Sequence, residues 1–200
     1  MNWILDILFP KFCVGCNKSG SYVCTACEVG LWEQDQICPG CHKTSLGGLT
    51  HRSCKETTYL DGLVCFWAYE GIAKKLLHRA NNYFIFDYLV DLTRQSGILL
   101  NRSDFARLKS FMYIHPTLVS LPDEPHAKNK KGFASGDIVA QAIARLYRLP
   151  RWRLRLSKSQ KMPAQIILVG DVWSKPEFEK WAELLKKQGA TQVWGLTLAR

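Results

Sequence analysis

Eight side chains of the metal-binding type fall into four pairs with the same two-residue gap: Cys13 with Cys16, Cys24 with Cys27, Cys38 with Cys41, and His51 with Cys54. Such a gap lets both side chains of a knuckle converge on one ion, and tetrahedral zinc takes two knuckles. The pairs therefore predict two zinc ions that use all eight ligands. Gly15 in the first knuckle and Pro39-Gly40 in the third are residues suited to tight backbone turns. Few large apolar residues accompany them, so metal is expected to supply much of the folding free energy of residues 1–60. Joining the first pair to the third and the second to the fourth leaves gaps of about 20 residues, as in zinc ribbons, whereas joining neighbours leaves shorter loops. Both remain open, with the longer gaps tipping the expectation slightly toward the crossed arrangement. His42 is near enough to substitute for His51, and the unpaired Cys65 reads as a small buried hydrophobe.

The first ten residues carry Trp3, Ile4, Leu5, Ile7, Leu8 and Phe9 but no basic start and no small-residue cleavage site, so no signal peptide is expected. No apolar stretch approaches the ~20 residues of a membrane span. A cytoplasmic setting is the resulting expectation, and there reduced thiols favour metal over disulfides. Residues 1–60 carry five Lys/Arg against five Asp/Glu, while residues 128–161 carry ten against Asp137 alone, which accounts for most of the +10 net charge. Seven thiolates outnumber the charges of two Zn²⁺ ions, so the loaded amino-terminal module turns acidic and grips nucleic acid poorly on its own. The basic stretch favours phosphate-bearing partners. Lys128, Lys130, Lys131, Arg151, Arg153 and Arg155 are the candidate phosphate contacts, and Trp152 among the arginines suits stacking on single-stranded bases. The same residues also read as a solvated basic surface and an ordinary half-buried strand aromatic.

Residues 61–200 alternate strand and helix patterns. Strands are predicted over Asp61 to Tyr69, Leu118 to Leu121, Arg151 to Leu156, Ile166 to Val169 and Gln192 to Leu198. Helices are predicted over residues 72–78 and 84–96, separated at Asn81-Asn82, and from about Ser135 to Leu149 with Ile138, Ala142, Ile143, Leu146 and Leu149 inward. A last helix opens on a capping box, Ser174 with Glu177, turns Phe178, Trp181, Ala182 and Leu185 to the core, and closes at Gly189. The order predicts an α/β fold, a mostly parallel sheet with helices on both faces, behind the small zinc-binding module. An apolar strand running into Gly170-Asp171 before a helix marks the expected ligand site of such a sheet.

Several stretches in this order resemble the ComF family, phosphoribosyltransferase-like proteins associated with DNA uptake in competent bacteria. They are Leu8-Phe9-Pro10, the four pairs, Ala68-Tyr69-Glu70-Gly71, Leu121-Pro122, Lys131-Gly132-Phe133, Ile166 to Val172, Gly189-Ala190 leading to Val193, and the final Leu198-Ala199-Arg200. The resemblance implies a double zinc ribbon over 1–60 and a type I phosphoribosyltransferase-like fold over 61–200. In such transferases two acids after this strand hold the ribose hydroxyls of phosphoribosyl pyrophosphate, and a threonine-glycine turn cradles its 5′-phosphate. Here Gly170-Asp171 stands for the acids and Ser174-Lys175-Pro176-Glu177-Phe178 for the turn. Gly170 lacks a carboxylate, Pro176 lacks an N–H, Glu177 repels phosphate, and Phe178 replaces a hydroxyl. Asp171 is left as the candidate catalytic residue, with Ser174 and Lys175 as candidate phosphate contacts. Three functions are expected to compete: a ComF-like scaffold of DNA uptake that meets single-stranded DNA through its basic stretch, an active transferase that uses Mg²⁺, and a zinc adaptor that docks another DNA-uptake protein.

Overall fold

Strands β1 (Gly62–Trp67), β2 (Thr117–Ser120), β3 (Arg151–Trp152), β4 (Gln165–Val172) and β5 (Gln192–Ala199) form one sheet. Its order is β1-β5-β4-β2-β3, and every neighbouring pair is parallel. The computed structural model describes residues 10–83, 85–122, 134–152 and 162–200. Helices α1 (Gly71–Tyr83), α2 (Asp87–Leu99), α3 (Ala106–Met112), α4 (Ser135–Tyr147) and α5 (Lys175–Lys187) provide the connections.

Period-two alternation in β4 divides the core. Ile167 and Val169 join the cluster formed with α1, α2, α3 and α4, whereas Ile166 and Leu168 join Phe178, Ala182 and Leu185 of α5. Helices therefore cover both faces, as predicted. Connections leave the carboxyl ends of the adjacent β2 and β4 toward opposite sides of the sheet, which makes that point the switch point where an open parallel sheet presents its crevice.

Several local expectations are corrected. Asn81-Asn82 does not break the chain, since α1 runs through both residues to Tyr83; one or two asparagines cost a helix only tenths of a kcal/mol each. The strand before the predicted ligand loop does not end at Val169: Gly170 pairs in register with Thr197, and Val172 with Ala199. In α4 the deeply buried face is Val139, Ala140 and Ile143, while Leu146 is 47% exposed. Helix α3 has no counterpart among the predicted elements. The predicted strand beyond Trp152 lies outside the described residues.

The cysteine segment is bonded along the outer edge of β1. Gln36, only 7% exposed, donates from Nε2 to Cys65 O and accepts from Cys65 N–H through Oε1. Gln34 N–H donates to Phe66 O and Ala68 N–H to Trp32 O, while Thr50 N–H donates to Asp61 O. An edge strand whose unpaired backbone groups invite another chain is thereby covered from within.

Candidate metal centres and the loop after β4

Two tight turns of the same design present the first pair of each centre. Cys13 N–H donates to Lys18 O and Asn17 N–H to Cys13 O; Cys38 N–H donates to Lys43 O and His42 N–H to Cys38 O. Asn17 and His42 occupy the left-handed region at φ 62° and 61°. Single antiparallel bridges, Phe12 with Ser19 and Ile37 with Thr44, close the two turns. His42 thus occupies the turn position of Asn17 and is not among the ligands. Gly15 and Gly40 are glycines for space: a Cβ at Gly15 would lie 2.6 Å from Cys27 Sγ, and one at Gly40 2.7 Å from Cys54 Cβ. Each knuckle backbone lies against the pair that completes its own centre.

Cys13, Cys16, Cys24 and Cys27 form one cluster, and Cys38, Cys41, His51 and Cys54 the other, with the ligand atoms of each within 4.8 Å of one another. Neighbouring pairs share a site, which corrects the crossed arrangement. Sulfurs held about 2.3 Å from zinc in a tetrahedron are roughly 3.8 Å apart. Cys16 Sγ and Cys24 Sγ are 3.6 Å apart, and Cys41 Sγ lies 3.3 Å from His51 Nδ1. Both donor sets fit a tetrahedral, thiolate-rich ion. The third ligand's backbone also supports the first in each half, since Cys24 N–H points at Cys13 Sγ at 3.4 Å and His51 N–H at Cys38 Sγ at 3.3 Å.

These donors bear on ionisation. Burial pushes the Cys13 thiol up, but the N–H groups of Cys24, Cys16 and Gly15 together with the Cys24 thiol outweigh it and hold Cys13 at about 6. Cys38 is lowered by the same balance, with burial opposed by the N–H groups of His51, Cys41 and Gly40. The last ligands go the other way: the Cys24 thiol, then burial, raise Cys27 to about 12, and burial, then Cys41, raise Cys54. In each cluster the first cysteine is shifted toward the thiolate and the last toward the thiol, and the metal binds the thiolate form of its ligands.

At the switch point, among the described residues, the space beside Gly170 is filled. Phe178 is fully buried, and a Cβ on Gly170 would lie 3.0 Å from its Cζ and 3.1 Å from Leu121 Cδ1. Trp173 stacks obliquely on Phe178, with centroids 4.9 Å apart, and also packs on the cluster of Ile37, Leu63 and Cys65. Asp171 accepts Val172 N–H at 2.9 Å and Asn81 Nδ2 at 3.2 Å. Ser174 occupies the N-cap position, yet its hydroxyl makes no capping bond, so the predicted capping box does not form. Lys175 Nζ donates to Gly40 O at 2.9 Å, tying the start of α5 to the second metal knuckle.

On the basic stretch, Arg151 Nη2 lies 3.4 Å from Asp137 Oδ1, and Asp137 also accepts the Ser120 hydroxyl. Trp152 is half-buried against the core cluster of α5. Lys128, Lys130, Lys131, Arg153 and Arg155 lie outside the described residues. Sequence reasoning misses Gln36 and Asn81, since a glutamine in the polar run Glu33-Gln34-Asp35-Gln36 and an asparagine in a helix give no signal of long-range partners.

Fold and sites together define an α/β protein with a five-stranded parallel sheet and two cysteine-rich centres arranged to hold metal ions. No helix among the described residues is long and apolar enough to cross a membrane. No protein-family model and no curated protein matches the chain.

Proposed function

We propose that this chain is a ComF-like protein of DNA uptake, with zinc in both cysteine centres and a phosphoribosyltransferase-like domain that serves as a binding scaffold and not as a catalyst. The family part of this reading rests on the sequence resemblance. Its non-catalytic part is supported by the packing at the end of β4, where Phe178 and Leu121 leave no room for a side chain at Gly170. Lys175, the cation best placed at the start of α5 to meet a phosphate, is engaged with Gly40 O, and Asp171 with Asn81. Zinc is favoured over harder ions by seven thiolates and one imidazole in two four-ligand sets.

The basic stretch is assigned to single-stranded DNA, with Arg153 and Arg155 as the contacts and Arg151 held in place by Asp137. Calorimetry with phosphoribosyl pyrophosphate and Mg²⁺ is expected to give no binding heat at millimolar ligand, and a saturable heat would restore the transferase reading. In DNA binding, Arg153→Gln with Arg155→Gln is expected to reduce the logarithmic salt slope by about 1.4, near 0.7 for each single-strand phosphate left without its arginine. Binding that is indifferent to salt or to these substitutions would remove the nucleic-acid part.

A further inference from the structure

The two metal centres share a design and differ at one ligand. In each, the first turn supplies a buried cysteine and an exposed one, Cys13 with Cys16 and Cys38 with Cys41. The third ligand lies beside the exposed sulfur. In the first centre it is the half-buried Cys24, whose sulfur is 3.6 Å from that of Cys16. In the second it is His51, whose Nδ1 is 3.3 Å from Cys41 Sγ. The neighbour of the open ligand is thus a second sulfur in one centre and an imidazole in the other.

That difference is chemical. An exposed thiolate is the sulfur an oxidant meets first, and a second sulfur beside it converts the first oxidation product into a disulfide. Cys16 and Cys24 meet both conditions, and from their separation side-chain rotation brings the two sulfurs into bonding distance. An imidazole forms no such bond. Cys41 is left with Cys38 and Cys54, both buried. A Cβ on Gly40 would lie 2.7 Å from Cys54 Cβ, so that side chain is held among packed neighbours.

We propose that Cys16 and Cys24 are a disulfide-forming oxidation site, through which peroxide opens the first centre while the second keeps its ion. The Cys16 thiolate attacks one oxygen of hydrogen peroxide, the O–O bond breaks and hydroxide leaves, which makes the sulfur a sulfenic acid. The Cys24 thiolate attacks that sulfur, the S–O bond breaks, and a second hydroxide leaves as the S–S bond forms. The two thiolates lose two electrons, and these reduce the peroxide to two hydroxides. Cys13 and Cys27 then remain as two donors of four, too few for a tetrahedral site. The proposal rests on the zinc part of the reading above and is independent of DNA uptake.

The full chain, loaded with zinc and freed of excess, is counted for metal and then exposed to hydrogen peroxide. A chelating dye follows the released ion, and mass spectrometry maps the disulfides. Two ions per chain are expected at the outset. One is expected to leave at least about tenfold faster than the other, accompanied by a disulfide that joins Cys16 to Cys24. A thiol reductant with added zinc restores the count to two. Cys24→His gives the first set the donors of the second and slows the fast release, whereas His51→Cys, the reverse swap, makes both ions leave fast. Equal release of the two ions from the wild type overturns the proposal, as does a fast phase whose disulfide joins other cysteines or persists unchanged in rate in Cys24→His. The wild-type rates and disulfide map decide the matter even where a swap weakens zinc binding. A wild-type chain that binds no zinc before peroxide fails at the earlier step and overturns the zinc reading itself.

Discussion

Phe178 occupies the volume that a side chain at position 170 would need, and its ring also lies 3.2 Å from where a Cβ on Gly195 would be. Gly170 and Phe178 are therefore one packing solution: the glycine exists because the ring is there. Replacing Gly170 with Asp forces a buried ring aside and places a carboxylate against Leu121, at an expected cost of about 2–4 kcal/mol from overpacking and desolvation. In a Phe178→Ala background the same change is expected to cost at least about 1 kcal/mol less, because the space is open. Urea denaturation of the four proteins measures the coupling, and additive costs would show that the two positions act separately. A second residue-scale expectation concerns Cys65, whose thiol accepts the Thr197 hydroxyl at 3.1 Å and is pushed up to about 12 chiefly by burial. A thiol raised in the folded state holds its proton while the unfolded chain loses one, so its contribution is complete below the unfolded value near 8.5 and is lost as pH rises toward 12. Relative to Cys65→Ala, the wild type is expected to lose roughly 2–3 kcal/mol of stability between pH 8 and 10.5, read from denaturant midpoints with metal present.

Among the elements, those with a strong period and a chemical stop were legible in the sequence. Helix α5 has Phe178, Ala182 and Leu185 buried, as its spacing indicates, and ends before Gly189 at φ 108°. Strands β4 and β5 read as short apolar runs and are buried along most of their length. Helix α4 was legible as a helix but misread as a surface, because its apolar residues make two stripes and only contact with the sheet decides which is inner. The break expected at Asn81-Asn82 failed for a related reason: packing of Leu76, Leu77 and Ala80 outweighs a weak local preference. The metal ligands were legible from spacing alone, whereas their partition was not. Loop length favoured the crossed pairing, but the close approaches of Gly15 to Cys27 and of Gly40 to Cys54 are tertiary facts that no spacing encodes.

At the scale of the whole molecule, the metal centres and the sheet support one another across the edge of β1. The second centre is bracketed by Lys175 on Gly40 O and by Glu179, which accepts from the Thr58 hydroxyl and from Tyr59 N–H. Between the two centres runs the strip from Trp32 to Gln36, whose bonds to Phe66, Ala68 and Cys65 cover β1. This strip has no regular secondary structure of its own, so its position depends on the turns at either end, and those turns carry the side chains arranged to hold metal. Removing the metal with a chelator under reducing conditions is therefore expected to free the strip, expose the backbone groups of β1, and lower the melting temperature together with the onset of concentration-dependent light scattering. Gln36→Ala separates the two contributions. With metal bound it loses the paired bonds to Cys65, at an expected cost of about 1–3 kcal/mol, yet the backbone bonds of Gln34 and Ala68 remain and no concentration-dependent scattering develops. A metal-free protein that melts as high as the loaded one and stays free of scattering would show that the strip holds the edge without its anchors.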